Sequence, residues 1–360
     1  MRGSSAVLTL LVVILLVLLI WSLERTRRTT EVSRTAETSS PSVATSETPT
    51  AAMRANVSPE PAPTNVYAHN LLLRKGPSFR VYVRWLRGQM ARARRDVNPS
   101  FDDPDSFFLE IKTGVLRANI GDISNYLNES GLVNTPLKNV TLSGDGDQIK
   151  LTGTLHKIIP LPIELRGTIS AAYDNRIQVH VTKLDVLKIP LKGLLGGFRV
   201  TLSDLIHAKQ IPGLEVSGSD IFFDTQKLLP PPHIRGRLTT VHVVNPDLEE
   251  IYGDAQTDVA RVEQWRNFLR LSDGTIDFGK LTMHHVDLMM IDISKDAWFD
   301  LDLAHYQAQL VNGYTRMTPQ AGLQIFMPDF REIPTNKANQ NISIEWFKNR
   351  NLPPPRDLSK

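Results

Sequence analysis

Ile149-Lys150-Leu151-Thr152-Gly153-Thr154-Leu155 and Ile163-Glu164-Leu165-Arg166-Gly167-Thr168-Ile169 carry the same device. In each, every second residue is apolar and a glycine takes one of the apolar positions. Leu214-Glu215-Val216-Ser217-Gly218 and Ile234-Arg235-Gly236-Arg237-Leu238 repeat it. Successive side chains of a strand point to opposite faces, so this alternation predicts half-buried strands. A glycine inside a strand gives up packing and marks a bend or the close approach of another body. The stretch from Val140 to Val244 therefore predicts a long curved antiparallel sheet wrapped around a helix or a ligand.

Local signals fill in that sheet. Gly144-Asp145-Gly146 reads as a hairpin turn whose glycines allow positive φ. Asp145-Gly146-Asp147 does not make a calcium loop, which needs six or more oxygens from a longer array. Pro160 and Pro162 cannot donate to a ladder and mark a bend or an edge. Alternation through Ile177, Val179 and Val181 changes phase at Lys183-Leu184, which predicts a β-bulge. A helix from Phe198 to His207, apolar at Phe198, Leu202, Leu205 and Ile206, is the candidate body for the sheet to curl around. Gly193, Gly196 and Gly197 lack both the spacing and the Gly-Lys-Ser/Thr ending of a phosphate loop.

Leu151-Thr152-Gly153-Thr154-Leu155, Pro160 to Thr168, Arg176 to Lys183 and Ile189-Pro190-Leu191-Lys192-Gly193-Leu194-Leu195 resemble the bacterial LmeA-type family over roughly Leu116 to Val244. The motifs are strand and turn patterns. The resemblance implies an envelope protein that binds phospholipid, with a fold similar to the tubular lipid-binding superfamily, and brings no catalytic residues. On that reading the ligand-facing positions are Leu151, Gly153, Leu155, Ile163, Leu165, Gly167, Val179, Phe198 and Leu202. The part after Tyr252 resembles uncharacterised bacterial membrane-anchored proteins, which implies no activity.

Ala6 to Leu23 is uncharged and almost wholly aliphatic. As a helix it spans roughly 27 Å, close to a bilayer core of about 30 Å. It runs out through Trp21-Ser22-Leu23-Glu24-Arg25, a poor cleavage site, so a retained single-pass anchor is expected over a cleaved signal peptide. Arg25, Arg27 and Arg28 outnumber Arg2, which pulls the body toward the cytoplasm. The very short leading tail and the exported look of the next segment pull the other way, toward an extracytoplasmic, periplasmic body. Thr29 to Asn65, rich in Ser, Thr, Pro, Glu and Ala, buries too little to offset ordering entropy and reads as a disordered tether.

From Arg74 to Arg95 eight basic residues arrive with no acid among them. Phe79, Val81, Val83 and Trp85 alternate with Arg80 and Arg84, so the segment is a strand. Its Arg80, Arg84 and Arg87 either face anionic headgroups or form a solvated face paired with Asp102, Asp103 and Asp105. Beyond residue 250, Asp273-Gly274 predicts a turn, Val286 to Ile293 a strand buried on both faces, and Asp300 the N-cap of a helix through Asn312. Leu323 to Met327 closes as a strand.

The expected fold class is α+β: the long curved antiparallel sheet wrapping a helix, plus a smaller strand-and-helix layer, behind an N-terminal transmembrane helix. The expected parts are the anchor (1–28), the tether (29–65), the curved-sheet domain (66–250), the C-terminal layer (251–335) and a polar tail (336–360). A net charge of +3 is too small to argue for nucleic acid. The chain has no cysteine, which removes disulfides and thiolate chemistry. His284-His285 is the best metal candidate, but adjacent strand residues point apart and cannot easily share an ion. No hydrolase elbow and no His-Glu-x-x-His occurs. No metal, cofactor or catalytic residue is therefore expected. Three functions stay open: a non-enzymatic envelope protein holding a phospholipid or other apolar ligand in the groove, a structural or interaction module with a fully packed core, and an unrecognised hydrolase.

Overall fold

Alternating Val, Leu, Tyr and Phe make Thr64–Lys75 (β1) and Phe79–Arg92 (β2) a long antiparallel pair, in register from Thr64 opposite Met90 to Lys75 opposite Phe79. Phe107–Asn119 (β3) lies antiparallel on the other side of β2. The computed structural model describes residues 62–75, 79–132, 135–156, 160–186, 202, 212–229, 231–254, 258, 265–343 and 345–346. The expected anchor, nearly all of the tether, Phe198 and the glycines from Gly193 to Gly197 lie outside them. Among the described residues no helix is long and apolar enough to cross a membrane.

The fold is mostly strand, in two large sheets. After β3, the Asn119 side chain accepts from the Gly121 and Asp122 N–H groups and so caps a short helix, α1 (Ile120–Tyr126). The chain then builds a six-stranded antiparallel sheet from β4 (Leu137–Asp145), β5 (Gln148–His156), β6 (Pro160–Ala171), β7 (Ile177–Val186), β8 (Leu214–Ser217) and β9 (Asp220–Phe223). Its order is β4-β5-β6-β7-β9-β8. A single turn, α2 (Thr225–Leu228), leads back. β10 (His233–Gly236) pairs parallel with β3, and β11 (Leu238–Val244) and β12 (Asp247–Tyr252) extend that edge. β13 (Phe268–Phe278) pairs with β1 on the other side, followed by β14 (Leu281–Asp292), β15 (Phe299–Asp302), α3 (Tyr306–Val311), β16 (Tyr314–Met317) and β17 (Leu323–Met327). The first sheet runs β11-β12-β3-β2-β1-β13-β14-β17-β16, with β10 on β3 and β15 on β1.

This arrangement corrects the single curved sheet expected over 66–250. The four glycine-marked strands part company: β5, β6 and β8 belong to the second sheet and β10 to the first. Residues 250 and 251 are neighbours inside β12, and Tyr67 of β1 stands opposite Arg270 of β13. The C-terminal strands are thus the other half of the front sheet. Alternation specifies which face of a strand is apolar, but not which strand pairs with it.

Three local expectations also change. Phe299–Asp302 is a strand and the helix starts at Tyr306, so Asp300 caps nothing. All four residues of β15 are buried, and Asp300 gives its N–H to Asp329 and its carboxylate to Arg74. Asp273-Gly274 does not end a strand: both residues take left-handed φ (64° and 61°) inside β13. A Cβ on Gly274 would stand 2.5 Å from Thr64 Oγ1, so a glycine is needed where β13 passes the start of β1. The bulge of the second sheet falls at Thr182, one residue before the expected site, because Arg166 pairs with Lys183 and Gly167 with Val181. The hairpin at Gly144–Gly146, the strand at Leu323–Met327 and the doubly buried end of β14 are as the alternation predicts.

One core fills the first sheet, with Ala68, Leu86, Leu271, Leu288, Phe299 and Leu301 at its centre and α3 laid on it through Tyr306 and Leu310. A second apolar cluster lies between the second sheet and α1.

Candidate functional site

On the second sheet the apolar faces of β4 to β7 and β9 come together. Leu165 and Val179 pack with Ile120 of α1, Ile149, Leu202, Ile221 and Leu248. Leu155 and Ile163 pack with Leu132, Leu137 and Val140, and half-buried Leu151 touches both groups. The helix described on this face is α1, with Leu202 beside it. Gly153 is half-buried, with Leu137 and Val140 next to where a Cβ would be. Gly167 is a different case, because a Cβ there would stand 2.5 Å from the carbonyl oxygen of His180. Its glycine admits the neighbouring strand at the bulge, a backbone role and not a ligand-facing one.

These side chains fill their own space. Leu155, Ile163 and Leu165 are 1%, 2% and 3% exposed. Two apolar hollows lie elsewhere, one of about 40 Å³ beneath Val66, Leu86 and Met90, the other of about 20 Å³ beside Phe79 and Tyr252. Pockets for drug-sized ligands are about 300–1,000 Å³, so neither hollow takes an acyl chain.

The larger clefts among the described residues differ in lining. One, of about 380 Å³, is mixed, bordered by Val66, Tyr67 and Gly88 as well as Arg87, Lys112, Arg270 and Ser272 on the first sheet. Another, of about 430 Å³, is bordered by Asp174, Arg176, Glu215, Asp224 and Lys227. Arg176 there pairs with Glu215 at 2.6 Å and with Asp174.

The three arginines expected to meet headgroups each have an acid. Arg80 holds both oxygens of Asp122 at 2.8 and 2.9 Å, which raises the pKa of its guanidinium. Arg84 lies 3.7 Å from Glu249, which Arg117 also engages at 2.6 Å. Arg87 stacks 3.8 Å over the Tyr67 ring and meets Asp258 at 3.3 Å. Their partners come from other elements: Asp122 from α1, Glu249 from β12 and Asp258 from beyond β12. Of the local acids, Asp103 takes Arg94, and Asp102 accepts from Tyr306 and Gln307. His284 and His285 are both exposed, with His284 Nδ1 3.2 Å from Thr275 Oγ1.

A site that alternation does not announce lies where β14 and β17 end. Asp292 accepts from Asn267 Nδ2 at 2.9 Å and from the Ser294 N–H at 2.6 Å. Asp329 is fully buried. Burial pushes the Asp329 carboxyl up to about 7, helped by the nearby negative charges of Asp292, Asp300 and Glu332. It pushes Asp292 up to about 6, against the hydrogen bonds from Asn267 and Ser294. The one trace of this site in the sequence is the spacing Asp292-x-Ser294-x-Asp296.

Both values lie above the ordinary aspartate value of 3.8, so between pH 4 and 7 the folded chain holds more protons than the unfolded one. Stability then falls as pH rises through that window, by about 2–4 kcal/mol for the two groups between pH 5 and 8. Denaturant melts with a chelator present should show this decline, and Asp329→Asn should remove most of it. Parallel pH courses in the two proteins would refute the assignment.

No family model matches the chain, and no curated protein or solved structure matches it.

Proposed function

We propose that the chain is a membrane-anchored, non-enzymatic protein of the bacterial envelope whose extracytoplasmic body is a packed interaction module. The observation that carries this reading is the filling of the glycine-marked face, where Leu155, Ile163 and Leu165 are almost wholly buried among side chains of the same chain. The larger clefts among the described residues carry charged side chains, and ion pairs hold Arg87 and Arg176 within them. Such a surface suits recognition of another polar surface better than uptake of a hydrocarbon chain. The anchor over 1–28 would keep this body close to the membrane.

A second reading is a phospholipid carrier of the LmeA type. It is favoured by Leu202, a helical residue packed with Leu165 and Val179 on the glycine-marked face, as a sheet wrapped around a helix requires. Native mass spectrometry of the full-length chain, delipidated in detergent and then offered phosphatidylglycerol, separates the two. The packed module stays lipid-free and yields crosslinks to an envelope protein in intact cells. One phospholipid retained or regained per chain would replace the first reading with the second.

A further inference from the structure

The loop leaving β14 runs Asp292-Ile293-Ser294-Lys295-Asp296, with an oxygen-bearing side chain at every second position. Calcium loops present their first ligands, at positions 1, 3 and 5, with this spacing. The chain then forms β15 and α3 and returns through β17 to set Asp329 and Glu332 beside the loop. One carboxylate oxygen from each of Asp296, Asp329 and Glu332 lies within 4.8 Å of the other two.

A second observation points to a ligand and does not rest on the number of acids. The Asp329 side chain is fully buried. Its Oδ1 accepts from the Asp300 N–H at 2.8 Å, while Oδ2 is buried without a hydrogen-bond donor. A buried carboxylate oxygen left this way is costly unless something positive meets it. The chain offers Arg331, whose guanidinium is 3.5 Å from that oxygen and also against Asp296. That side chain is 55% exposed and free to swing into water. Ser294 Oγ completes the group, accepting from the Asp329 N–H and donating to Glu332 Oε2, both at 3.0 Å.

We propose that Asp296, Asp329 and Glu332, with the Ser294 hydroxyl, bind a hard divalent cation of the calcium class, which displaces the Arg331 guanidinium. All four donors are oxygens, a set that suits calcium or magnesium over zinc. Magnesium demands near-ideal octahedral geometry. Calcium accepts the irregular, water-completed shell that half-exposed Asp296 and exposed Glu332 allow. Three carboxylates and a competing guanidinium place the affinity near about 0.1–1 mM, the range of extracellular calcium modules. The bound cation would tie the ends of β14 and β17 together beside β15, which pairs with β1. The site does not depend on whether the body carries lipid.

Terbium, a calcium probe excited through tryptophan, tests the site in the full-length chain in detergent, since Trp298 lies two residues from Asp296. The expected result is a saturable emission that calcium chloride competes away, one ion per chain. Glu332→Gln and Asp329→Asn should each weaken binding at least about tenfold, by removing a charged ligand. Arg331→Gln should tighten it several-fold, by removing the competing charge. If Asp329→Asn does not fold, exposed Glu332 still reports on the site. Absence of saturable binding in both the wild type and Arg331→Gln at about 10 mM calcium, well above the expected range, overturns the proposal. Binding that Glu332→Gln leaves unchanged also overturns it, because the ion would then sit elsewhere.

Discussion

Truncating Leu155 to alanine should lower the unfolding free energy by about 2–5 kcal/mol, the range for a buried leucine whose cavity cannot close. Leu155 is 1% exposed and packs with Leu132, Leu137, Val140 and Ile163, contributed by the turn after α1 and by β4 and β6. Deleting three methyl-scale groups there removes contacts on several sides, and the paired strands limit how far the site can collapse. The same residue would behave differently as the wall of an open groove. Truncation would then cost under about 1 kcal/mol in the ligand-free chain and act on binding instead. Urea melts of wild type and variant, both delipidated, measure the difference directly. A small loss would count against the packed module.

The second large effect is expected at Arg74. Its Nε and Nη2 reach the two oxygens of Asp300 at 2.7 Å each, and the Asp300 side chain is only 2% exposed. The pair links β1 to β15, which run parallel from Leu71 opposite Phe299 to Arg74 opposite Asp302. Arg74→Met keeps most of the side-chain bulk but leaves a buried carboxylate without its cation, which typically costs about 3–5 kcal/mol. The lone charge would also stand near Asp329, whose carboxyl is raised chiefly by burial and further by the charges of Asp292 and Asp300. Adding Asp300→Asn should recover much of the loss, since the Asp300 backbone N–H bond to Asp329 does not need the charge. Urea melts of the single and double variants give the coupling. A loss below about 1 kcal/mol in the single variant would mean that Asp300 is readily neutralised or hydrated.

The cation site shows how little of such chemistry is written locally. Asp292, Ser294 and Asp296 sit at a readable spacing, yet Asp329 and Glu332 reach them only because β17 pairs parallel with β14, Asp292 opposite Met327. The arginines follow the same rule. That Arg80 and Arg84 share a strand face is legible from alternation, but their partners Asp122 and Glu249 are supplied by α1 and β12.

Reading along the chain yields the local geometry: where most strands run and which of their faces are apolar. Those properties depend on side-chain period and backbone sterics within a few residues. Tertiary structure decided which strands pair, and so divided the glycine-marked strands between two sheets and joined β1 to β13 across two hundred residues of chain. It also decided that, among the described residues, Leu155, Ile163 and Leu165 are buried against side chains of the same chain. Packing depends on the volumes of side chains brought together from distant segments, and no periodicity along the chain records them.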